Sequence, residues 1–168
     1  MEQRGGAVDV RSDSRASLRP LRPGGRRPHQ SGENAVSSII LNITFDCADP
    51  RALARFWGQV TGWPVIEEPQ PGYEESAVGK AGEGCPRLYF VRVPEDKTVK
   101  NRVHLDIMPT DRTQDEEITR LTSIGARIVS DRRPEFGWVL LADPEGNEFD
   151  VEISVAELDA ARAAGAAT

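Results

Sequence analysis

No apolar run in this chain approaches the roughly 18–20 residues that a bilayer-spanning helix needs. The N-terminus has no apolar stretch behind its first charges. The expectation is a protein that neither crosses a membrane nor carries a secretory signal. Cysteine is nearly absent: Cys47 and Cys85 stand alone, without metal-type spacing. A disulfide framework is thereby excluded, and they read as free thiols in a reducing cytoplasm. Histidine is equally scarce, with only His29 and His104. The serine-nucleophile elbow, the phosphate-binding loop and the dinucleotide glycine pattern are all missing, which removes those three reaction classes. The DPEGN segment (143–147) lacks the acidic spacing of a calcium loop.

Charge of one sign is also lacking at the front of the chain. Residues 1–30 hold seven arginines against three acids, a net of +4, so of the total of -6 the rest carries -10. An acidic body argues against nucleic acid as a partner. Residues 1–35 are rich in Arg, Pro, Gly and Ser and show neither helical nor strand periodicity. Too little apolar surface is present to offset chain entropy, so a disordered basic tail is expected there, with His29 inert within it. The length then leaves room for one domain over 36–168.

Within that domain the apolar pattern changes period in a regular order. Ile39, Leu41, Ile43 and Phe45 alternate with Ile40, Asn42, Thr44 and Asp46, the mark of a strand with one buried face. Asp49-Pro50 supplies an N-cap followed by proline at the first helical position. Leu53, Phe56, Trp57 and Val60 then form one apolar helix face, and Gly62 ends it. Short strands are expected at Val65–Glu67, Tyr73–Gly79 and Arg87–Val93. The order then repeats. Val103, Leu105 and Ile107 alternate with Arg102, His104 and Asp106. A helix follows from about Thr113 to Gly125, then strands at Ile128–Ser130, Gly137–Ala142 and Asn147–Ile153. A last helix is expected over about 155–164. Most of the large aromatics, Trp57, Trp63, Tyr89, Phe90, Phe136 and Trp138, are expected in the core.

The repeat is offset by about 62 residues: Leu41, Ile43 and Phe45 map onto Val103, Leu105 and Ile107. The same shift takes Asn42 to His104 and Thr44 to Asp106, both polar. The two strands therefore present equivalent polar faces, expected to line a common concave pocket.

Four segments carry a family resemblance: the first strand ending in CADP, the helix ARFWGQVTGW, the strand VKNRVHLDI, and the closing LADPEGNEFDVE. Over Ser38–Ile153 the chain resembles the vicinal oxygen chelate superfamily, of the glyoxalase and bleomycin-resistance type, and looks most like actinobacterial glyoxalase-like domain proteins. The resemblance implies an α+β fold. Two βαβββ modules, about 38–93 and 100–153, would form a curved mixed sheet around a cavity, in a homodimer that binds a small molecule.

Metal-using members hold a divalent ion (Zn, Ni, Mn or Fe) with inward side chains from the first and fourth strands of each module. Carried over by position, His104 and Asp150 match in the second module. In the first, Asn42 falls where His is usual, and the fourth position lands near Leu88–Phe90, without an obvious donor. A catalytic metal needs about three protein ligands, so the expected reading has no cofactor. A pocket lined by Asn42, Thr44, Leu88, Phe90, Arg102, Asp106, Glu148 and Glu152 would sequester a small molecule or process it with His104 as general base. The alternatives are a metal-dependent lyase, isomerase or dioxygenase using His104 and Asp150, and a module without chemistry.

Overall fold

The computed structural model describes residues 39–66, 74–79 and 86–165. The expected basic tail, His29, Tyr73 and Cys85 lie outside the described residues. The first sheet is built from β1 (Asn42–Cys47), β2 (Val65–Ile66), β3 (Glu75–Val78) and β4 (Arg87–Arg92), with helix α1 (Pro50–Thr61) after β1. The second is built from β5 (Asp106–Ile107), β6 (Arg127–Asp131), β7 (Val139–Ala142) and β8 (Glu148–Val151), with α2 (Gln114–Ser123) after β5. A helical turn α3 (Arg133–Phe136) and a final helix α4 (Val155–Gly165) complete the chain. The sheet orders are β1-β4-β3-β2 and β5-β8-β7-β6, the same topology twice. Each module's first strand runs parallel to its last. The two βαβββ modules read from the sequence are therefore present.

The helices begin where local chemistry starts them. The Asp49 carboxylate accepts from the Arg51 and Ala52 amides at 3.1 and 3.0 Å, satisfying donors that the first helical turn leaves unpaired. Gly62 closes α1 at φ 68°, a conformation that costs glycine no Cβ clash. Thr113 and Glu116 form a reciprocal capping box at the start of α2.

One core serves both modules. Trp57 of α1 packs edge-on against Phe149 of β8, with ring centroids 5.2 Å apart. Phe45 and Phe90 meet at 5.5 Å behind it. The Trp57 indole N–H donates to Asp143 Oδ2 at 3.1 Å. Asp143 is wholly buried in the DPEGN turn, where it also accepts from the Asn147 backbone at 2.9 Å and from the Glu145 backbone at 3.0 Å. Burial pushes its carboxyl up, and these donors pull against that. Glu145 from the same turn accepts the Ala48 and Asp49 amides at 3.2 and 2.9 Å. The segment read from sequence as a tight turn thus also clamps the second module onto the start of α1.

Three local expectations are corrected. The strand beginning near Arg102 is paired only at Asp106–Ile107, and Val103 is 73% exposed. Just ahead of this stretch the Asn101 amide donates to the Glu148 carboxylate at 2.9 Å. Residues 133–136 form a helical turn closed by Gly137, so the strand expected from Gly137 starts at Val139. That turn carries Phe136 outward. It is 68% exposed and stacked on Trp138 with the rings 15° apart, not in the core.

Candidate functional site

Strand parity sorts the predicted residues onto faces. In β4, Leu88 and Phe90 are buried while Arg87, Tyr89 and Val91 alternate with them. Register then sets Asn42 beside Arg87 and Thr44 beside Tyr89. In the second sheet Asp106 sits beside Asp150, and Ile107 beside Val151. Alternation adds His104, Glu148 and Glu152 to the face of Asp106 and Asp150.

The second sheet's face is a carboxylate cluster around one imidazole. His104 Nδ1 lies 3.1 Å from Asp150 Oδ2. The Lys100 ammonium contacts His104 Nε2. An ammonium can only donate, so Nε2 holds the lone pair and Nδ1 carries the proton given to Asp150. Asp150 is 7% exposed, and its other oxygen, Oδ1, is buried without a hydrogen-bond partner. Burial first, and then the neighbouring Asp106 charge, hold the Asp150 carboxyl above the ordinary carboxylate range against the pull of His104. Glu152 is raised in the same way, by burial and then by Asp106 and Asp150. Glu148 goes in the opposite direction. Burial raises it, but the Asn101 amide and Lys97, whose ammonium is 3.1 Å away, leave it below the usual range.

The first sheet's face is paired differently. Arg87 Nε donates to Asn42 Oδ1 at 3.1 Å, and the Tyr89 hydroxyl donates to Glu75. Tyr89 holds beside Thr44 the place that Asp150 holds beside Asp106. The sequence pattern sets this position near Leu88–Phe90, without an obvious donor. Period two in RLYFVR was the signal: apolar Leu88 and Phe90 claim the core, which leaves Tyr89 on the polar face. Leu88 and Phe90 do sit in the core, as their 4% and 0% exposures require.

The predicted residues are not all brought together. A cleft of about 660 Å³ lies between the modules, but Asp106 and Leu88 are the only predicted site residues that line it. Thr44 and Arg102 line a separate hollow beside the 93–103 connection. Neither of these two hollows includes His104 or Asp150 in its lining.

The donor set does not fit a divalent ion as placed. His104 and Asp150 are each other's partners, Nε2 faces an ammonium, and the Asn42 oxygen is taken by a guanidinium. Among the described residues no three His, Cys, Asp or Glu side chains are grouped to hold a metal, and such a centre normally needs about three protein ligands. Cys47 offers no thiolate: burial, with Glu145 and Asp143 nearby, pushes its pKa up to about 12.

Comparison with known proteins matches the family described as "Glyoxalase-like domain" to residues 42–152. No curated protein matches the chain. Among solved structures, similarity is found to a fosfomycin resistance protein FosX from Listeria monocytogenes, a mutant complexed with Mn(II) and 1S,2S-dihydroxypropylphosphonic acid. It is 15% identical with a TM-score of 0.57, over 74% of this chain and 98% of that one. FosX from Mesorhizobium loti is 14% identical with a TM-score of 0.54, over 75% and 99%. A glyoxalase/bleomycin resistance protein/dioxygenase family enzyme from Burkholderia phytofirmans is 18% identical with a TM-score of 0.52, over 68% and 97%. At these identities the structures establish a shared fold.

Proposed function

Because this chain belongs to the glyoxalase-like domain family, we propose that it binds a small organic molecule against the carboxylate–imidazole face of its second sheet. His104 serves there as a general base, without a metal ion. One observation carries the reading: the imidazole is held between a buried carboxylate and an ammonium. Asp150 fixes the tautomer, which leaves Nε2 as the proton acceptor. A ligand with an acidic C–H or O–H would displace Lys100 from Nε2 and deliver its proton there. The imidazolium so formed is stabilised by Asp150, and the freed Lys100 pairs with the anion left on the ligand. This is proton-transfer chemistry of the isomerase or lyase kind. Without a proton to move, the same face sequesters its ligand.

The metal-dependent reading keeps one observation in its favour, the buried and unpartnered Asp150 Oδ1. Elemental analysis of the purified protein separates the two. One equivalent of a divalent metal that survives purification and is lost in His104→Ala would overturn the metal-free reading. For the ligand, a thermal-shift screen of small carboxylic and phosphonic acids is expected to yield a stabilising compound whose effect disappears in His104→Ala. A stabilising compound indifferent to that substitution would place binding elsewhere.

We also propose a homodimer. β1 and β5 each end their sheets, and Ile39 and Ile40 next to β1 are exposed. A monomer by sedimentation at high concentration would remove it. Among the described residues no helix is long and apolar enough to cross a membrane, and the proposed location is the cytoplasm.

A further inference from the structure

We infer that Lys100 is an amine nucleophile activated by His104, so that this face forms imines with uncharged aldehydes and ketones. This role rests on the general-base reading of His104 and gives that base a proton from the protein itself. Lys100, His104 and Asp150 form a chain of contacts: the ammonium meets Nε2, and Nδ1 lies 3.1 Å from Asp150 Oδ2. The order is that of a nucleophile, a base and an orienting carboxylate. Lys100 is exposed on the 93–103 connection, open to a ligand. Its neighbours tie that connection to β8: the Asn101 amide and the Lys97 ammonium both reach the Glu148 carboxylate, at 2.9 and 3.1 Å. The chain has three lysines, Lys80, Lys97 and Lys100. Lys97 faces a carboxylate, which stabilises an ammonium. Lys100 faces a neutral ring nitrogen, which can take its proton.

Lys100 Nζ gives a proton to His104 Nε2, and Asp150 stabilises the imidazolium. The freed lone pair bonds to the carbonyl carbon while the C=O π pair moves to oxygen. One of the two remaining N–H protons passes to that oxygen, giving a carbinolamine. His104 then returns its proton to the hydroxyl, water leaves, and the nitrogen lone pair closes the C=N bond. One ammonium and one carbonyl have become one protonated imine and one water, with His104 restored. The neighbouring carboxylates choose the ligand's charge. Asp106 and Asp150, side by side on this face, attract the cationic imine and repel a carbonyl compound that carries its own anion.

The probe is benzaldehyde with sodium cyanoborohydride, which reduces an imine to a stable benzylamine, applied to the intact protein at neutral pH. Benzaldehyde has no acidic C–H or O–H, so it cannot deliver a proton of its own to Nε2. Peptide mapping by mass spectrometry reads each lysine. Lys100 is expected to be labelled about tenfold or more faster than Lys97, and the preference should vanish when the chain is unfolded in guanidinium chloride. In His104→Gln, which accepts a hydrogen bond but not a proton, Lys100 should fall to the rate of Lys97. The anionic para-formylbenzoate should show a smaller preference than benzaldehyde. Where circular dichroism shows that His104→Gln does not fold, the native and unfolded parent decide between them. Equal labelling of Lys97 and Lys100 in the native protein overturns the nucleophile, while a stabilising acid that depends on His104 would leave the base standing. A preference that survives unfolding also overturns it. A preference unchanged in folded His104→Gln strikes the base as well, and a larger preference with para-formylbenzoate overturns the ligand's charge.

Discussion

The two sheets have one topology and two chemistries. In both, the first strand lies parallel to the last and one face packs into the shared core. On the opposite face the first sheet pairs an amide with a guanidinium and a phenol with a glutamate. The second crowds an imidazole and several carboxylates together, leaves a buried carboxylate oxygen unpaired, and raises two of the acids. A duplicated backbone therefore does not bring duplicated chemistry. The fold depends on positions that stay apolar, such as Ile43 and Leu105. The polar positions between them are free to diverge, because a partly solvated side chain costs the fold little.

The largest effect should come from the seam that both sheets share. Trp57→Ala is expected to lower stability by about 3–5 kcal/mol, through cavity formation and the stranded Asp143 acceptor. Urea denaturation should still show a single transition for the whole domain. Two separate transitions would mean that the sheets do not depend on a common core.

Next in size is the contrast between equivalent positions. With a stabilising ligand in hand, His104→Ala should weaken its binding by about tenfold to a hundredfold, the usual worth of a hydrogen bond to a charged group. Asn42→Ala should change it by less than about threefold, within the scatter of a lost peripheral contact. Equal losses at both positions would show that the two faces act on one ligand after all.

The caps test the modules' likeness instead of their difference. Asp49→Ala and Thr113→Ala should each cost about 1 kcal/mol in chemical denaturation. The Glu145 clamp should survive the Asp49 change, because it holds the Asp49 backbone amide and not its side chain.

The smallest effect is a slope with pH. Asp150 and Glu152 bind protons more tightly in the folded chain than in the unfolded one. Their contribution to stability is therefore fully present below the ordinary carboxylate pKa of about 4 and is lost as pH rises through the raised values. Asp150→Asn should flatten that decline and raise the melting temperature at neutral pH relative to the parent. A steeper decline in the variant would show that Asp150 is stabilised as an anion.

Much of this was legible in the residues alone. Asp49, Pro50 and Gly62 mark the ends of α1 because caps act locally, through backbone donors one to three residues away. The 62-residue offset showed both modules because apolar alternation survives where polar identity does not. Other features needed partners distant in sequence. The DPEGN turn reads as a turn, but its clamp on Trp57 and on the Ala48–Asp49 amides spans 86 to 97 positions. Phe136 reads as core, yet a helical turn points it outward. Tyr89 reads as core and Leu88 and Phe90 as pocket-lining, but the fold reverses them, because in a strand one residue changes the face.

From its residues alone the chain settled its periodicities, its caps and its doubled topology, because these arise from sterics and hydrogen bonding over a few neighbouring positions. Only the folded chain decided that His104 is shared between Asp150 and Lys100 and that an arginine occupies Asn42. Those outcomes depend on which side chains from remote strands arrive within about 3 Å of one another, the span of a hydrogen bond, and short-range pattern carries no information about that distance.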